Sequence, residues 1–335
     1  MRAIIFFAVF FIATNSVFAQ DTLYYFYANK DSTLVGVKNQ KGEIIISPIK
    51  TYIYYDRGTI ISEETIDFEF SPSPFKGVKN SPVMPVGAVY NRKGEYLYSA
   101  QFYDNAMDFW SEELRRYAEN NKIGFVNRSG EKILPAQWDF ASPFHYGYAS
   151  VCEGNLSRVY DESGEHWTIS GDTAQYLINR KGERVDGYAE AKHPKDYFYN
   201  NKYYPYPFEY SQEEKEILSS FEKDIIGISF LFDSNSYKYA YSPVQLEIIG
   251  RPNNFKKHYV ITVYDDRQSQ IYNSEFFVDW DKKESYIIDY DQNKIPLKKA
   301  ILKKLESFIA LKDREVLPET RKLAQEELQR LKSQP

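Results

Sequence analysis

The sequence predicts a mainly β fold: an array of antiparallel β-hairpin repeats, followed by a smaller α+β domain with helices at its C-terminal end. Three observations predict it. A five-residue corner (Asn or Asp, two polar residues, Gly, Glu) recurs five times before residue 190. Short apolar or aromatic runs flank most of its copies. Tyr (30 residues), Phe (23) and Trp (4) together make up 17% of the chain, and flat rings favour the pleated surface of a sheet.

The chain opens with MRAIIFFAVFFIATNSVFAQ. Arg2 gives a short positive segment, Ala3 to Ala13 an apolar run, and Thr14-Asn15-Ser16 a polar break. Val17-Phe18-Ala19 then fits a cleavage site before Gln20, the order of a secretory signal peptide. An apolar run of that length is too short to span a bilayer, which needs about 20 residues. No cysteine stands at the cut to carry a lipid. Removal of residues 1–19 leaves 316 of 335 residues, enough for two domains. The expected location is extracytoplasmic: periplasmic, secreted or at the cell surface, with no stable membrane insertion.

The corners are Asn39-Gln-Lys-Gly42, Asn91-Arg-Lys-Gly94, Asn127-Arg-Ser-Gly130, Asp161-Glu-Ser-Gly164 and Asn179-Arg-Lys-Gly182, each followed by a glutamate. Asn or Asp bonds its own backbone to open a turn, and Gly takes the left-handed conformation. Flanking runs such as Ala88-Val-Tyr90 and Tyr96-Leu-Tyr98 read as the paired strands. The steps between corners are 52, 36, 34 and 18 residues. The middle two define a three-strand unit of about 35 residues that must stack on its neighbours. The 52 predicts an insertion near Ser71-Pro-Ser-Pro-Phe75, and the 18 a partial unit. At an offset of 34, Trp110 to Tyr117 aligns with Phe144 to Val151. Read alone the first segment looks helical, but Gly147 and the alternation in its partner predict strands for both.

Residues 121–151, NKIGFVNRSGEKILPAQWDFASPFHYGYASV, resemble the WG-repeat family of all-β repeats, common in bacterial secreted and surface proteins. Ile123-Gly124, Asn127, Gly130, Pro135, Asp139, Ala141 and Phe144 fill the slots of its pattern. The resemblance is clearest over 85–186. The family's tryptophan before Gly is Val35 or Ile123 here. The resemblance implies a propeller-like or open β-meander array over residues 20–190 and a binding or scaffolding role. It implies no catalytic residues.

The Tyr- and Pro-rich stretch YFYNNKYYPYPFEY lies within 191–210, read as a linker because its prolines and Asn pair interrupt regular structure. Residues 211–335 read as the α+β domain. Ser211 and Glu214 form a capping box. Strands are expected at Ile225–Phe232, Val244–Ile249, Tyr259–Tyr264, Ser274–Val278 and Tyr286–Asp289. Leu297, Ile301, Leu305 and Phe308 mark a helix, and a second follows Pro318.

Little in the composition points to a reaction. The net charge of −5 argues against nucleic acid as a partner. Cys152 is alone and forms no internal disulfide. His145, His166, His193 and His258 lack metal-ligand spacing, so no metal and no cofactor is expected. The corner glutamates Glu43, Glu95, Glu131, Glu165 and Glu183 recur with every turn, which marks them as structural. The acidic stretch 279–291 lacks the glycine and the final glutamate of an EF-hand and reads as a solvated turn. Exposed tyrosines suit a protein or sugar partner. Tyr203, Tyr204, Tyr206, Trp110 and His145 are therefore the candidate partner-binding residues, against the alternative that the tyrosines pack between the domains. The favoured reading is an extracytoplasmic binding or scaffold protein contacting another protein or an envelope polymer. An envelope hydrolase with its site in the C-terminal domain or the cleft is the alternative, and glycan binding a third.

Overall fold

The computed structural model describes residues 21–31, 33–51, 59–68, 86–103, 106–154, 157–162, 167–171, 173–232, 241–265, 268, 270–289, 292–311 and 316–333. The signal segment, the Ser71–Phe75 stretch, Gly164, Glu165 and His166 lie outside them.

Four three-stranded antiparallel repeats follow one another; the second and third join in one seven-stranded sheet through the Ala100–Tyr117 pairing, and Phe140–Ala141 adds a fourth strand to the last. Unit 1 is Leu23–Tyr27, Leu34–Asn39 and Ile44–Lys50; unit 2 is Thr65–Phe68, Val86–Asn91 and Tyr96–Tyr103. Unit 3 is Leu114–Glu119, Lys122–Asn127 and Lys132–Trp138; unit 4 is Tyr148–Gly154, Thr173–Asn179 and Arg184–Val185. The register repeats. The first residue of each unit lies opposite its corner asparagine: Leu23 with Asn39, Thr65 with Asn91, Leu114 with Asn127, Tyr148 with Asn179. The units do not close into a ring.

Cores form between consecutive units rather than within one. Ile66 and Phe68 of unit 2 join Val35 and Val37 of unit 1. Val89 and Tyr98 join Tyr117 and Val126 across units 2 and 3, and Phe125 and Trp138 join Val151 and Ile178 across units 3 and 4. A single unit cannot cover its apolar face, so stability is a nearest-neighbour property.

The corners at 39, 91, 127 and 179 are built alike. The Gly N–H donates to the Asn carbonyl, and the Asn N–H to the Glu carbonyl. Asn Oδ1 accepts from the Glu N–H, and Asn Nδ2 donates to a Glu carboxylate oxygen at 2.6–3.1 Å. The recurring glutamate closes its turn. The four glycines have φ between 79° and 84°, a region costly for a side chain.

The fifth corner is a correction. Asp161 ends a separate two-stranded ladder, Ser157–Tyr160 with Trp167–Ser170, which lies outside the four units. Without it the steps are 52, 36 and 52, so units 2 and 4 each exceed the short unit by 16 residues. The excess falls between first and second strands, where unit 3 has only the turn Asn120-Asn121 with φ of 51° and 59°. The step of 18 is thus a hairpin extension, not a partial unit.

Residues 110–117 and 144–151 are not strands throughout. Each begins with a tight turn. Ser111 and Leu114 exchange backbone hydrogen bonds at 2.9 and 3.0 Å, and His145 and Tyr148 do so at 2.7 and 3.0 Å. The central pairs have positive φ: 50° and 63° at Glu112 and Glu113, 49° and 75° at Tyr146 and Gly147. This is the mirror-image turn that matches strand twist.

The stretch read as an irregular linker holds a hairpin, Tyr197–Tyr199 with Lys202–Tyr204. Asn200 and Asn201, φ 47° and 58°, supply its turn rather than breaking it. Beyond it the C-terminal region has helices α1 (Gln212–Ser220), α2 (Ile225–Phe232), α3 (Leu297–Ala310) and α4 (Pro318–Ser333). The Ser211–Glu214 capping box caps α1. A five-stranded meander runs Gln245–Gly250, Tyr259–Tyr264, Gln270–Asp279, Glu284–Ile288 and Lys294–Pro296. The strand expected at Ile225–Phe232 is helix α2. Eight apolar residues fit a buried strand or a buried helix equally, and packing decides. At Gly227 a Cβ would stand 2.6 Å from Ile301 of α3, and its N–H donates to Glu327 of α4 at 3.2 Å.

The meander is buried on both faces. Leu246, Ile248, Ile261, Val263, Phe276 and Val278 pack against the helices. The alternate residues Glu247, Thr262 and Tyr264 are fully buried on the other side, where the array docks.

Candidate functional site

The array meets the C-terminal sheet through its mirror-image turns. Glu112 has no exposed surface. Its carboxylate accepts from the Gly147 N–H at 2.9 and 3.1 Å, from the Tyr264 hydroxyl at 2.6 Å, and from Arg180 at 3.4 Å. Arg180 also donates to the Glu112 carbonyl at 3.0 Å. The turn of unit 3 is thereby tied to the turn and the last corner of unit 4, and to the C-terminal sheet. Burial, with the Glu112 charge adding, pushes the Tyr264 hydroxyl well above its ordinary range, so it remains a donor. Glu113 points elsewhere and accepts from Arg128 at 2.9 Å.

The turn of unit 4 makes a matching contact. The Tyr146 hydroxyl donates to the Lys195 carbonyl at 3.0 Å and accepts from Gln245. Its ring stacks on Tyr197 at 5.5 Å and meets Tyr264 edge-on at 5.2 Å. Glu247, also without exposed surface, accepts from Tyr206 at 2.6 Å, from Tyr210, and from Lys195 at 3.1 Å. Asp196 takes hydrogen bonds from the Tyr188 hydroxyl and from the N–H groups of Lys192, His193 and Tyr206, at 2.6–3.0 Å. Burial opposes its charge, but these donors outweigh burial and hold the carboxyl below the usual range.

The candidate residues divide. Tyr204, 9% exposed, and Tyr206 are consumed in this seam, as the domain-packing alternative expects. His145 lies between the rings of Tyr197 and Tyr264, at 5.7 and 5.8 Å. Trp110 is clamped between the guanidinium groups of Arg115 and Arg128, at 4.3 and 4.7 Å. It fills the slot that Phe144 fills 34 residues later, with Arg180 at 5.9 Å. Tyr203 is half-buried against Phe198 at 4.9 Å. Glu112 and Glu247 are the seam residues that motif reading misses. The offset of 34 sets Glu112-Glu113 on Tyr146-Gly147, and a lone charge inside Leu246–Ile249 marks a polar second face.

With these donors and acceptors matched, the seam holds the two parts in fixed register. Among the described residues no group of three or more His, Cys, Asp or Glu is placed to hold a metal ion, and no helix is long and apolar enough to cross a membrane.

A second feature lies along the corners, which stack on one another. A Cβ at Gly94 would run into the Ile45 carbonyl, at Gly130 into the Leu97 side chain, and at Gly182 would lie 3.0 Å from Leu134. Ile45 and Leu97 stand six residues after their own corner asparagines, and Leu134 seven after its own. The residue before each one is exposed: Ile44 at 61%, Tyr96 at 56% and Ile133 at 40%. Ile44 and Tyr96 share their repeat position with Lys132 of unit 3 and Arg184 of unit 4, and Ile133 stands one residue beyond it.

Residues 123–156 match a family model, the WG containing repeat. The matched segment runs from the second strand of unit 3 through the first strand of unit 4. The WG repeat thus covers the turn at 145–148, whose equivalent in the preceding unit carries Glu112. No curated protein and no solved structure matches the chain.

Proposed function

We propose that this chain is an extracytoplasmic binding or scaffold protein whose repeat array contacts another protein or an envelope polymer. The observation that carries this reading is the exposure of Ile44, Tyr96 and Ile133 on the strands that follow three successive corners. Large apolar side chains exposed on successive units give a contact surface its anchors. The seam supports the reading from the other side, because it fixes the C-terminal domain against the array and keeps these side chains in place. The leader Met1–Ala19 supports export.

Affinity capture tests it. The chain from Gln20 onward, immobilised and exposed to envelope extract, retains specific components. The Tyr96→Lys/Ile133→Lys variant, folded by circular dichroism, loses them. Equal retention by both removes these side chains from the function. Mass spectrometry of the exported chain reads Gln20 as its first residue; an intact leader contradicts the assigned location.

A further inference from the structure

We infer that Gln20 is a modification site: once the leader is removed, its side chain closes on its own α-amine to give an N-terminal pyroglutamate. The inference rests on the export reading given above and adds a covalent step to it.

The cleavage site decides which residue carries the new α-amine, and Val17 and Ala19 place it on Gln20. Glutamine has the one uncharged side chain whose carbonyl carbon can close a five-membered ring on its own α-nitrogen. Asparagine would need a strained four-membered one. An α-amine titrates at about pH 8, so part of it is neutral and nucleophilic at neutral pH. The α-nitrogen attacks Cδ of the side-chain amide. The N–Cδ bond forms, the Cδ–Nε2 bond breaks, and ammonia leaves with a proton taken from the α-nitrogen. Nothing is oxidised or reduced, and no co-reactant is needed.

The fold gives this closure a role. The strand Leu23–Tyr27 begins three residues after Gln20, so only Gln20, Asp21 and Thr22 stand between the new end and the core. Leu23, 2% exposed, and Tyr25 pack with Val35, Ile66 and Phe68. The Leu23 carbonyl also accepts from the Ile61 N–H at 2.9 Å. Residue-by-residue trimming from a free α-amine would soon remove this strand, and in a nearest-neighbour array the loss passes to unit 2. A lactam offers an aminopeptidase no α-amine to bind. The local charges agree. Arg92, in the second corner, grips the start of the chain. It donates to the Asp21 carbonyl at 3.0 Å and to the carbonyls of Ile61 and Glu63 at 3.0 and 2.8 Å. All three acceptors are neutral carbonyls, and the Asp21 carboxylate is engaged by Gln40 Nε2 at 2.8 Å. A free α-ammonium on Gln20 would set a second cation one residue from the carbonyl that Arg92 holds, and ring closure discharges it.

Intact-mass measurement and N-terminal sequencing of the chain recovered after export test this. The expected product begins at residue 20, weighs one ammonia less than the chain from Gln20 onward, and gives no sequence until pyroglutamyl aminopeptidase is added. Gln20→Ala is expected to be cut at the same bond and to sequence directly. A broad-specificity aminopeptidase then shortens this variant and leaves the wild-type chain at full length. A chain that begins at Gln20 with full mass and a free amine overturns the inference and leaves the export reading standing. An intact leader, or a first residue other than 20, overturns both. Equal resistance of the two chains to the aminopeptidase overturns the protective role of the ring.

Discussion

Two kinds of turn lie at the same end of units 3 and 4, and they are stabilised in opposite ways. The corner Asn127–Glu131 closes its own hydrogen bonds: Asn127 serves the backbone and Glu131 serves Asn127. The turn Ser111–Leu114 does not. It holds two glutamates at positive φ, a conformation that disfavours side chains, and Glu112 finds its donors 35, 68 and 152 residues away. The first kind is written locally and can repeat. The second exists only where the C-terminal sheet receives it, and it marks the place where the repeat was adapted to a partner within the chain.

The largest effect is expected at the dependent turn. Glu112→Ala leaves the Gly147 N–H, the Tyr264 hydroxyl and Arg180 without their acceptor in a buried place, and should cost about 3 kcal/mol in urea unfolding. Glu113→Gly relieves a positive φ while giving up a partly buried ion pair with Arg128, and should cost less than Glu112→Ala, about 1 kcal/mol. Equal losses at the two positions would erase the distinction between the member that serves the C-terminal sheet and the one that pairs with Arg128.

At the self-contained corner the effects are smaller. Asn127→Ala removes the acceptor for Glu131 N–H and Ser129, and should cost about 1 kcal/mol. Glu131→Gln keeps an oxygen for Asn127 Nδ2, and should stay within about 0.5 kcal/mol. A large loss from Glu131→Gln would mean that the charge, not the hydrogen bond, closes the turn.

The seam also has a pH signature. The carboxyl of Asp196 is held below its unfolded value. Its contribution is fully present above the unfolded carboxylate range and is lost as pH falls through the lower folded value. Asp196→Asn should therefore destabilise the chain at neutral pH, and the gap to the parent should narrow in acid. A constant gap across that range would show that the lowered carboxyl adds nothing to stability.

These differences explain what could be read in advance. Asn39, Asn91, Asn127 and Asn179 announce their turns because all the partners lie within four residues. Asp161 carries the same letters yet leaves the stack, since turn chemistry specifies a hairpin and not its place in an array. The steps of 52, 36 and 52 held that information once the extra copy was set aside. Ile225–Phe232 misled because an apolar run gives no period, and the choice between strand and helix was made by Ile301 and Glu327 far along the chain. Tyr206 bonds the chain's own Glu247 and Tyr204 packs against Tyr148 of the array, contacts between distant segments that the tyrosine tract alone does not specify.

The stacking of the corners is the claim on which the array rests, and one pair of substitutions tests it directly. Gly42 and Gly94 have nearly the same φ, 84° and 83°, but a Cβ at Gly42 would meet nothing within 4 Å, whereas one at Gly94 would strike the Ile45 backbone of the preceding unit. Gly42→Ala should cost only the conformational penalty, about 1 kcal/mol. Gly94→Ala should cost at least about 1 kcal/mol more, because a carbonyl in a strand has nowhere to move. Equal costs at the two positions would mean that consecutive corners do not touch, and the stacked array would be wrong.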